Sequence, residues 1–433
     1  MADIELDERS PLVATDRQDR PTLAIVSTWQ EVCGIAHYSA LLKKALSSHF
    51  DITVLPAPRA VVSAGGPAAE ERIRAIAEAA ATFDHVNIQY EPGIYGPDVA
   101  TVNRRIAAIV RAAKNVTITF HYLPRLARPA SKAVLFGMLL RGRIFRTVRL
   151  LKAERAEHEA WQNLLDVMRA KAADGNLGIV VHQPADADYL RALVPGARIA
   201  ETPLIYLDDA GRRDLYAKAK VSQLQERLPP RKLDETRYLG VFGFLQKSKG
   251  FETAIEALQF LPETYELLVF ASLHPAAIPQ YASHDPYLRK LTNLVAKKGL
   301  APRVHFMGAQ SDDDLLLGMM VCDAVLLPYR STDQVASGPM GQALDLNRRV
   351  LATRNRTFVT VAHYRGPIFE FCDLGNPLEY AAKIPWVTKE RTDRDVHGLR
   401  FVEYPPLPQR HTTQTTAAAY RFAMGTLAPG NAR

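Results

Sequence analysis

Leu239-Gly240-Val241-Phe242-Gly243-Phe244-Leu245-Gln246-Lys247-Ser248-Lys249-Gly250-Phe251-Glu252 is the stretch that decides how this chain folds. It opens inside Arg237–Phe244, a run of aliphatic and aromatic residues suited to a buried strand. A short polar turn follows, and Phe251–Leu258 reads as a helix. A strand that turns directly into a helix is half of a parallel βαβ unit. Lys249 falls at the start of that helix, where its ammonium and the unpaired backbone N–H groups together suit a diphosphate. Lys247 is the neighbouring alternative, and simple solvent exposure is its other reading.

Outward from this unit the same alternation repeats. Downstream, strands are predicted at Leu267–Ala271, Val304–Met307, Ala324–Pro328 and Val350–Thr353, with helices around Tyr287–Lys298 and Asp312–Met320. Upstream, the strands are Leu23–Ser27, Ile52–Leu55, His85–Tyr90, Val116–Phe120 and Gly178–His182, with helices at Ala36–Leu46 and Ala68–Ala81. The fold class is therefore α/β, with two facing Rossmann-like domains built on parallel sheets. The expected division is a disordered N-terminal tail (1–20), an N-terminal domain (21–207), a linker (208–235) that contains Pro229-Pro230, a C-terminal domain (236–395) and a C-terminal tail (396–433), in which Thr415–Met424 could form a helix that returns to the N-terminal domain. From His121 to His182 the chain is about twice as long as a βα unit requires, which marks residues 122–176 as a basic helical addition.

The 433 residues exceed what one hydrophobic core organises, and the three cysteines, Cys33, Cys322 and Cys372, form neither a disulfide framework nor a zinc motif. The N-terminus has no apolar core of a signal peptide, and the longest central apolar run, Ala133–Leu140, is far shorter than the roughly 20 residues of a spanning helix. A cytoplasmic protein is expected, with peripheral attachment to the inner face of the membrane left open. Net charge is +8, and residues 99–153 hold Lys and Arg side chains with no Asp or Glu. Within them Ile144, Val148 and Leu151 recur at helical spacing while Arg143, Arg146, Arg149 and Lys152 lie nearer the opposite side. This pattern suits an anionic membrane surface through 125–155, a lid, or an ordinary outer helix. Asp312-Asp313-Asp314 and Asp186-Ala187-Asp188 read as acids in first helical turns, and no P-loop, G-x-S-x-G or zinc signature occurs, so no metal is called for.

Several separated segments, in order, resemble glycosyltransferase family 4. They are Val32–Ser39 after the first strand, Gln89-Tyr90-Glu91-Pro92, Thr117–His121, the Leu239–Glu252 block, and Asp323–Tyr329 followed by Gln334–Leu344. The resemblance implies a GT-B fold and a retaining, metal-independent transfer of a hexosyl group from a nucleotide-sugar, with the leaving diphosphate helping to take the acceptor's proton. It implies catalytic roles for His121, Lys249 and Gln334, and donor contacts from Gly34, Gly243, Lys249, Ser337, Gly338 and Gln342. His37, Tyr90, Glu91 and Arg125 would bind the acceptor. Independently of any family, Ser337 suits an N-cap, with Gly338 and Pro339 opening the next helix and so offering a phosphate site. The chain departs from the family where Phe244 replaces an arginine and where Gln334 and Gln342 replace two glutamates, exchanging charged hydrogen-bond acceptors for neutral ones.

The basic stretch suits a saccharide or lipid-linked acceptor, as in bacterial envelope polysaccharide or glycoconjugate synthesis. Nucleic acid is not expected, because no binding module accompanies the charge. Two rival readings stay open: a nucleotide-sugar epimerase or hydrolase of the same fold, and a catalytically weak sugar-nucleotide-binding scaffold.

Overall fold

A computed structural model describes residues 20–31, 33–123, 140, 144–230, 235–272, 285–330, 337–365, 369–405 and 413–427. Of the expected N-terminal tail only Arg20 lies within them.

Two six-stranded sheets, parallel throughout, carry the fold. The first comprises β1 (Thr22–Ser27), β2 (Asp51–Pro56), β3 (His85–Tyr90), β4 (Asn115–Phe120), β5 (Leu177–Val181) and β6 (Arg198–Glu201), in the order β2-β1-β3-β4-β5-β6. The second comprises β7 (Arg237–Phe244), β8 (Tyr265–Ser272), β9 (Val304–Phe306), β10 (Ala324–Leu327), β11 (Val350–Thr353) and β12 (Phe369–Cys372), in the order β12-β11-β10-β7-β8-β9. Helices cover both faces of each sheet, so the central strands are buried along almost their whole length, including the polar Asn87, Gln89, Thr117 and Thr119 of β3 and β4. This is the two-domain α/β architecture that the alternation predicts.

Three pieces of sheet were not foreseen. β6 and β12 are four-residue edge strands whose charged residues, Arg198, Glu201 and Glu370, hide the apolar signal. The hairpin of β13 (Thr392–Val396) and β14 (Leu399–Glu403) turns through His397 and Gly398, both at positive φ, and β13 has almost no apolar side chains to betray it.

The stretch 208–235 is not a spacer. Helices Asp209–Lys218 and Leu224–Arg227, with the 3₁₀ turn Ala219–Val221 between them, bury Leu215, Ala219 and Leu224 in the core of the second domain. Lys218 Nζ meets Asp313 at 2.9 Å, Ser222 donates to Asp314, and Arg227 donates to the carbonyl of Met307 at 3.0 Å. The first crossing between domains is thus confined to residues 202–208. The polar composition that marked a linker belongs to the outer face of a docked helix pair.

The helix Thr413–Met424 lies on the first sheet. Tyr420 hydrogen-bonds Thr119 Oγ1 at 2.8 Å and Tyr38 Oη at 3.1 Å, and Ala417, Ala423 and Met424 pack on Leu23, Ile25 and Val180. Gly178 in β5 permits this close approach, since a Cβ there would lie 2.1 Å from the carbonyl oxygen of Ala423. Gly178→Ala is therefore expected to destabilise the protein by about 2–3 kcal/mol, seen as a lower urea midpoint. An unchanged midpoint would refute this packing.

Candidate active site

Both sheets turn the C-terminal ends of their strands toward one cleft, where ligands bind in open α/β folds. On the second-domain side, the last residue but one of β7 is Gly243, whose φ of 141° favours glycine. The chain then makes a single 3₁₀ turn, Lys247–Lys249, before the helix Phe251–Ala257. Gly250 joins them at φ 67°, and a Cβ there would lie 1.9 Å from the carbonyl oxygen of Pro328. Arg330 N–H donates to Ser248 C=O at 2.8 Å, which stitches this turn to the segment after β10.

Lys249 thus precedes the helix instead of opening it. It is 9% exposed, and its Nζ stands 4.0 Å from the centroid of the Tyr329 ring, while Lys247 is exposed. Burial lowers the Lys249 ammonium to a pKa of about 8. Tyr329 Oη in turn meets Ser337 Oγ at 3.0 Å, and Ser337 caps the helix Gly338–Asp345 by accepting from Met340 N–H. A buried cation and the start of a capped helix are therefore joined through one tyrosine. Gln342 lies half-buried one turn into that helix, and Phe244 is 39% exposed at the end of β7.

On the first-domain side Gly34 opens the helix Gly34–Leu46, and a pocket of about 160 Å³ is lined by Gly34, Tyr38, Glu91, His121, Leu204 and Tyr206, among others. Burial raises the Glu91 carboxyl above its ordinary value. Both ring nitrogens of His121 face protein groups: Nε2 donates to Gln89 Oε1 at 2.6 Å, and Nδ1 lies 3.3 Å from His182 Nε2. His182 Nδ1 donates to the Thr202 carbonyl at 2.7 Å. His121 therefore presents a ring wall to the pocket, not the free nitrogen expected of a sugar contact. His37 donates from Nε2 to the Tyr206 carbonyl at 2.7 Å, so it holds the domain crossing.

Tyr90 requires a correction. Its side chain is buried in the first core and its hydroxyl donates to Asn103 at 2.5 Å, because β3 alternates and only Glu91, one residue on, faces the cleft. Gln334 and Arg125 lie outside the described residues. Reasoning from sequence missed Tyr206, Tyr329, Asp345 and His182. Each sits in or beside an apolar run that reads as core, and only the pairing of distant segments reveals it.

The basic stretch also needs revision. Arg105 is 1% exposed in its side chain, paired with Glu70 at 2.8 Å and bonded to the carbonyls of Val62 and Tyr95, and Arg111 donates to Asn163. The helix Ile144–Ala173 buries Trp161, Leu164, Leu165 and Met168 in its second half, yet leaves Ile144, Phe145, Val148 and Leu151 exposed in its first, Phe145 at 93%. Among the described residues no helix is long and apolar enough to cross a membrane, and no three His, Cys, Asp or Glu side chains converge as a metal site.

No protein-family model matches the chain, and no curated protein matches it in sequence. Among solved structures, Anabaena HepE in complex with UDP and glucose is similar over 94% of this chain and 98% of that one, with TM-score 0.52 and 13% identity. The sucrose-phosphate synthase of Thermosynechococcus elongatus is similar over 94% and 95%, with TM-score 0.52 and 16% identity. A glycosyltransferase from Rickettsia africae is similar over 85% and 88%, with TM-score 0.51 and 12% identity. At these identities the likeness is one of fold, and the fold is GT-B.

The two buried histidines give the site a pH signature. Burial lowers His121 well below its ordinary value and His182 to about 4, so the folded protein holds both neutral while the unfolded chain protonates them near 6.5. Their contribution to stability is complete above about pH 6.5 and is lost as pH falls toward 4. The thermal midpoint should fall across that window, and fall less steeply in His182→Gln. Parallel profiles for the two proteins would contradict the assignment.

Proposed function

We propose that the protein is a glycosyltransferase that moves a hexosyl group from a nucleotide-sugar to an acceptor hydroxyl. The observation that carries this reading is the buried Lys249 ammonium linked through Tyr329 to the Ser337 cap, opposite a small pocket lined by Glu91. A diphosphate fits such a place because a helix start and a desolvated cation both stabilise negative charge that grows as the sugar leaves. Gly34 and Gly243 let backbone approach the donor, and Gln342 offers it a neutral carboxamide. The acceptor oxygen bonds to the anomeric carbon as the carbon–oxygen bond to the diphosphate breaks, and the acceptor's proton leaves with the diphosphate. Retention of configuration and independence of metal follow from the resemblance to family 4. HepE, of the same fold, has been crystallised with UDP and with UDP-glucose, which supports a nucleotide-sugar as donor.

Glu91 and His37 frame the acceptor side, and His121 shapes its floor. The exposed apolar residues Ile144, Phe145, Val148 and Leu151, beside exposed Arg146, Arg149 and Lys152, support a second element of the reading. That end of the helix would rest on an anionic membrane surface, bringing the cleft to a lipid-linked saccharide acceptor in envelope polysaccharide synthesis on the cytoplasmic side.

Two experiments test this. In a thermal-shift panel of UDP-, GDP-, ADP-, dTDP- and CMP-sugars, at least one should raise the midpoint of the wild-type protein. Lys249→Ala should weaken binding of that nucleotide-sugar by about tenfold or more, the loss of one charged hydrogen bond. Because the Lys249 ammonium titrates at about 8, affinity should decline as pH rises through that value, and Lys249→Arg should remove the decline. No shift with any donor favours the scaffold reading. Free sugar or an epimerised nucleotide-sugar, with no glycoside formed, favours the hydrolase or epimerase.

For the membrane, the protein should float with vesicles containing phosphatidylglycerol and not with pure phosphatidylcholine. Replacing Arg146, Arg149 and Lys152 by Gln should reduce retention by about two orders of magnitude, at about 1 kcal/mol per basic side chain. Equal retention by both vesicle types would remove the membrane element.

A further inference from the structure

Tyr206 is the point at which both domains grip the same residue. Its N–H, with that of Leu207, donates to Asp345 Oδ2 of the second domain at 2.6 and 3.0 Å. Its carbonyl accepts from His37 of the first domain at 2.7 Å. The ring is buried, lies nearly parallel to the His37 ring at 12°, and lines the pocket with Glu91 and His121. Its other edge rests on the helix whose start is capped by Ser337: a Cβ on Gly341 would lie 2.3 Å from the Tyr206 ring, and one on Gly338 would lie 3.9 Å from it.

Asp345 is itself informative. It is a buried carboxylate at the C-terminal end of a helix, where the helix dipole disfavours negative charge and burial disfavours it again. The two amides of the crossing segment offset that cost. A residue placed against both tendencies is more than packing material.

We infer that Tyr206 is a positioning residue: clamped by Asp345 and His37, its ring fixes the spacing between the Ser337 helix start and the pocket on the first domain, and Gly341 is glycine so that the ring can take this place. The inference rests on the transferase reading for its kinetic consequence and not for its structural one. A displacement of one ångström at a reacting centre can cost about 10²-fold in rate.

The test compares Gly341→Ala, Tyr206→Ala, the double variant and Tyr206→Phe in the full-length protein. The first readout needs no activity: hydrogen exchange at the Tyr206 and Leu207 amides should speed up about tenfold or more in Gly341→Ala, in keeping with loss of the Asp345 bonds. Tyr206→Phe, which keeps the ring and the backbone bonds, should match the wild type. The second readout is UDP release from UDP-glucose, with water in place of the acceptor. Water's oxygen bonds to the anomeric carbon, the bond to the diphosphate breaks, and the proton leaves with UDP. Gly341→Ala should lower kcat by about 10–100-fold while leaving UDP affinity within about twofold, because Lys249 and Ser337 are untouched. Gly341→Ala should have little further effect in the Tyr206→Ala background, since the clash is gone. Unchanged exchange in Gly341→Ala, additive effects, or a fall in UDP affinity matching the fall in kcat would each overturn the inference. A wild-type protein that shows the exchange pattern but releases no nucleotide from any of the UDP-, GDP-, ADP-, dTDP- and CMP-sugars would leave the clamp standing and count against the transferase reading.

Discussion

A single buried carboxylate holds the chain where it passes from one sheet to the other. Asp345 accepts from two consecutive amides of the crossing segment, and those amides would otherwise be unpaired at the floor of the cleft. Because the crossing is short and bonded from both sides, the strand ends of the two sheets face each other at a set separation. The domains meet again across the cleft, where Tyr364 donates to Glu201 at 3.1 Å and Arg356 approaches Asp186 at 3.5 Å. The candidate site is thus a property of two domains in register.

Charge at the site is arranged economically. The second-domain side holds one buried ammonium, whose proton is loosened by burial and steadied by the face of Tyr329. Tyr329 connects it to the Ser337 cap, so a shift in either would be felt by the other. Gly250 makes this compact turn possible, because its positive φ and its contact with the Pro328 carbonyl leave no room for a side chain. Under the proposed transferase reading, Phe244, where the family the sequence resembles often carries an arginine, would leave more of the anionic load on this pair.

Much of the fold was legible because parallel strands buried on both faces are written as short runs rich in aliphatic, β-branched and aromatic residues, and Arg237–Phe244, His85–Tyr90 and Val350–Thr353 match their observed limits. β6 escapes, since its two charged ends, Arg198 and Glu201, answer to solvent. Of the site, Lys249 and the Ser337 cap were legible from local chemistry, as a lysine after a strand and a serine before Gly-Pro. Tyr206 and His182 were not, because nothing local distinguishes a tyrosine that packs on a glycine over a hundred residues away from any other buried ring. Tyr90 misled for the opposite reason: it stands beside Glu91 in sequence but points to the other side of β3.

The helix Thr413–Met424 covers a face of the first sheet that is otherwise apolar, including Leu23, Ile25 and Val180. That sheet is complete once Glu201 has been made, yet its cover arrives more than two hundred residues later. At about 5–20 residues per second, a nascent chain would wait roughly 10–40 s with this surface open. The second domain, continuous in sequence from Asp209 to Glu403, can close its own core in that interval. Assembly on the ribosome would then run against the order of synthesis, with the domain begun first finished last. The uncovered sheet becomes the natural place for a chaperone to hold.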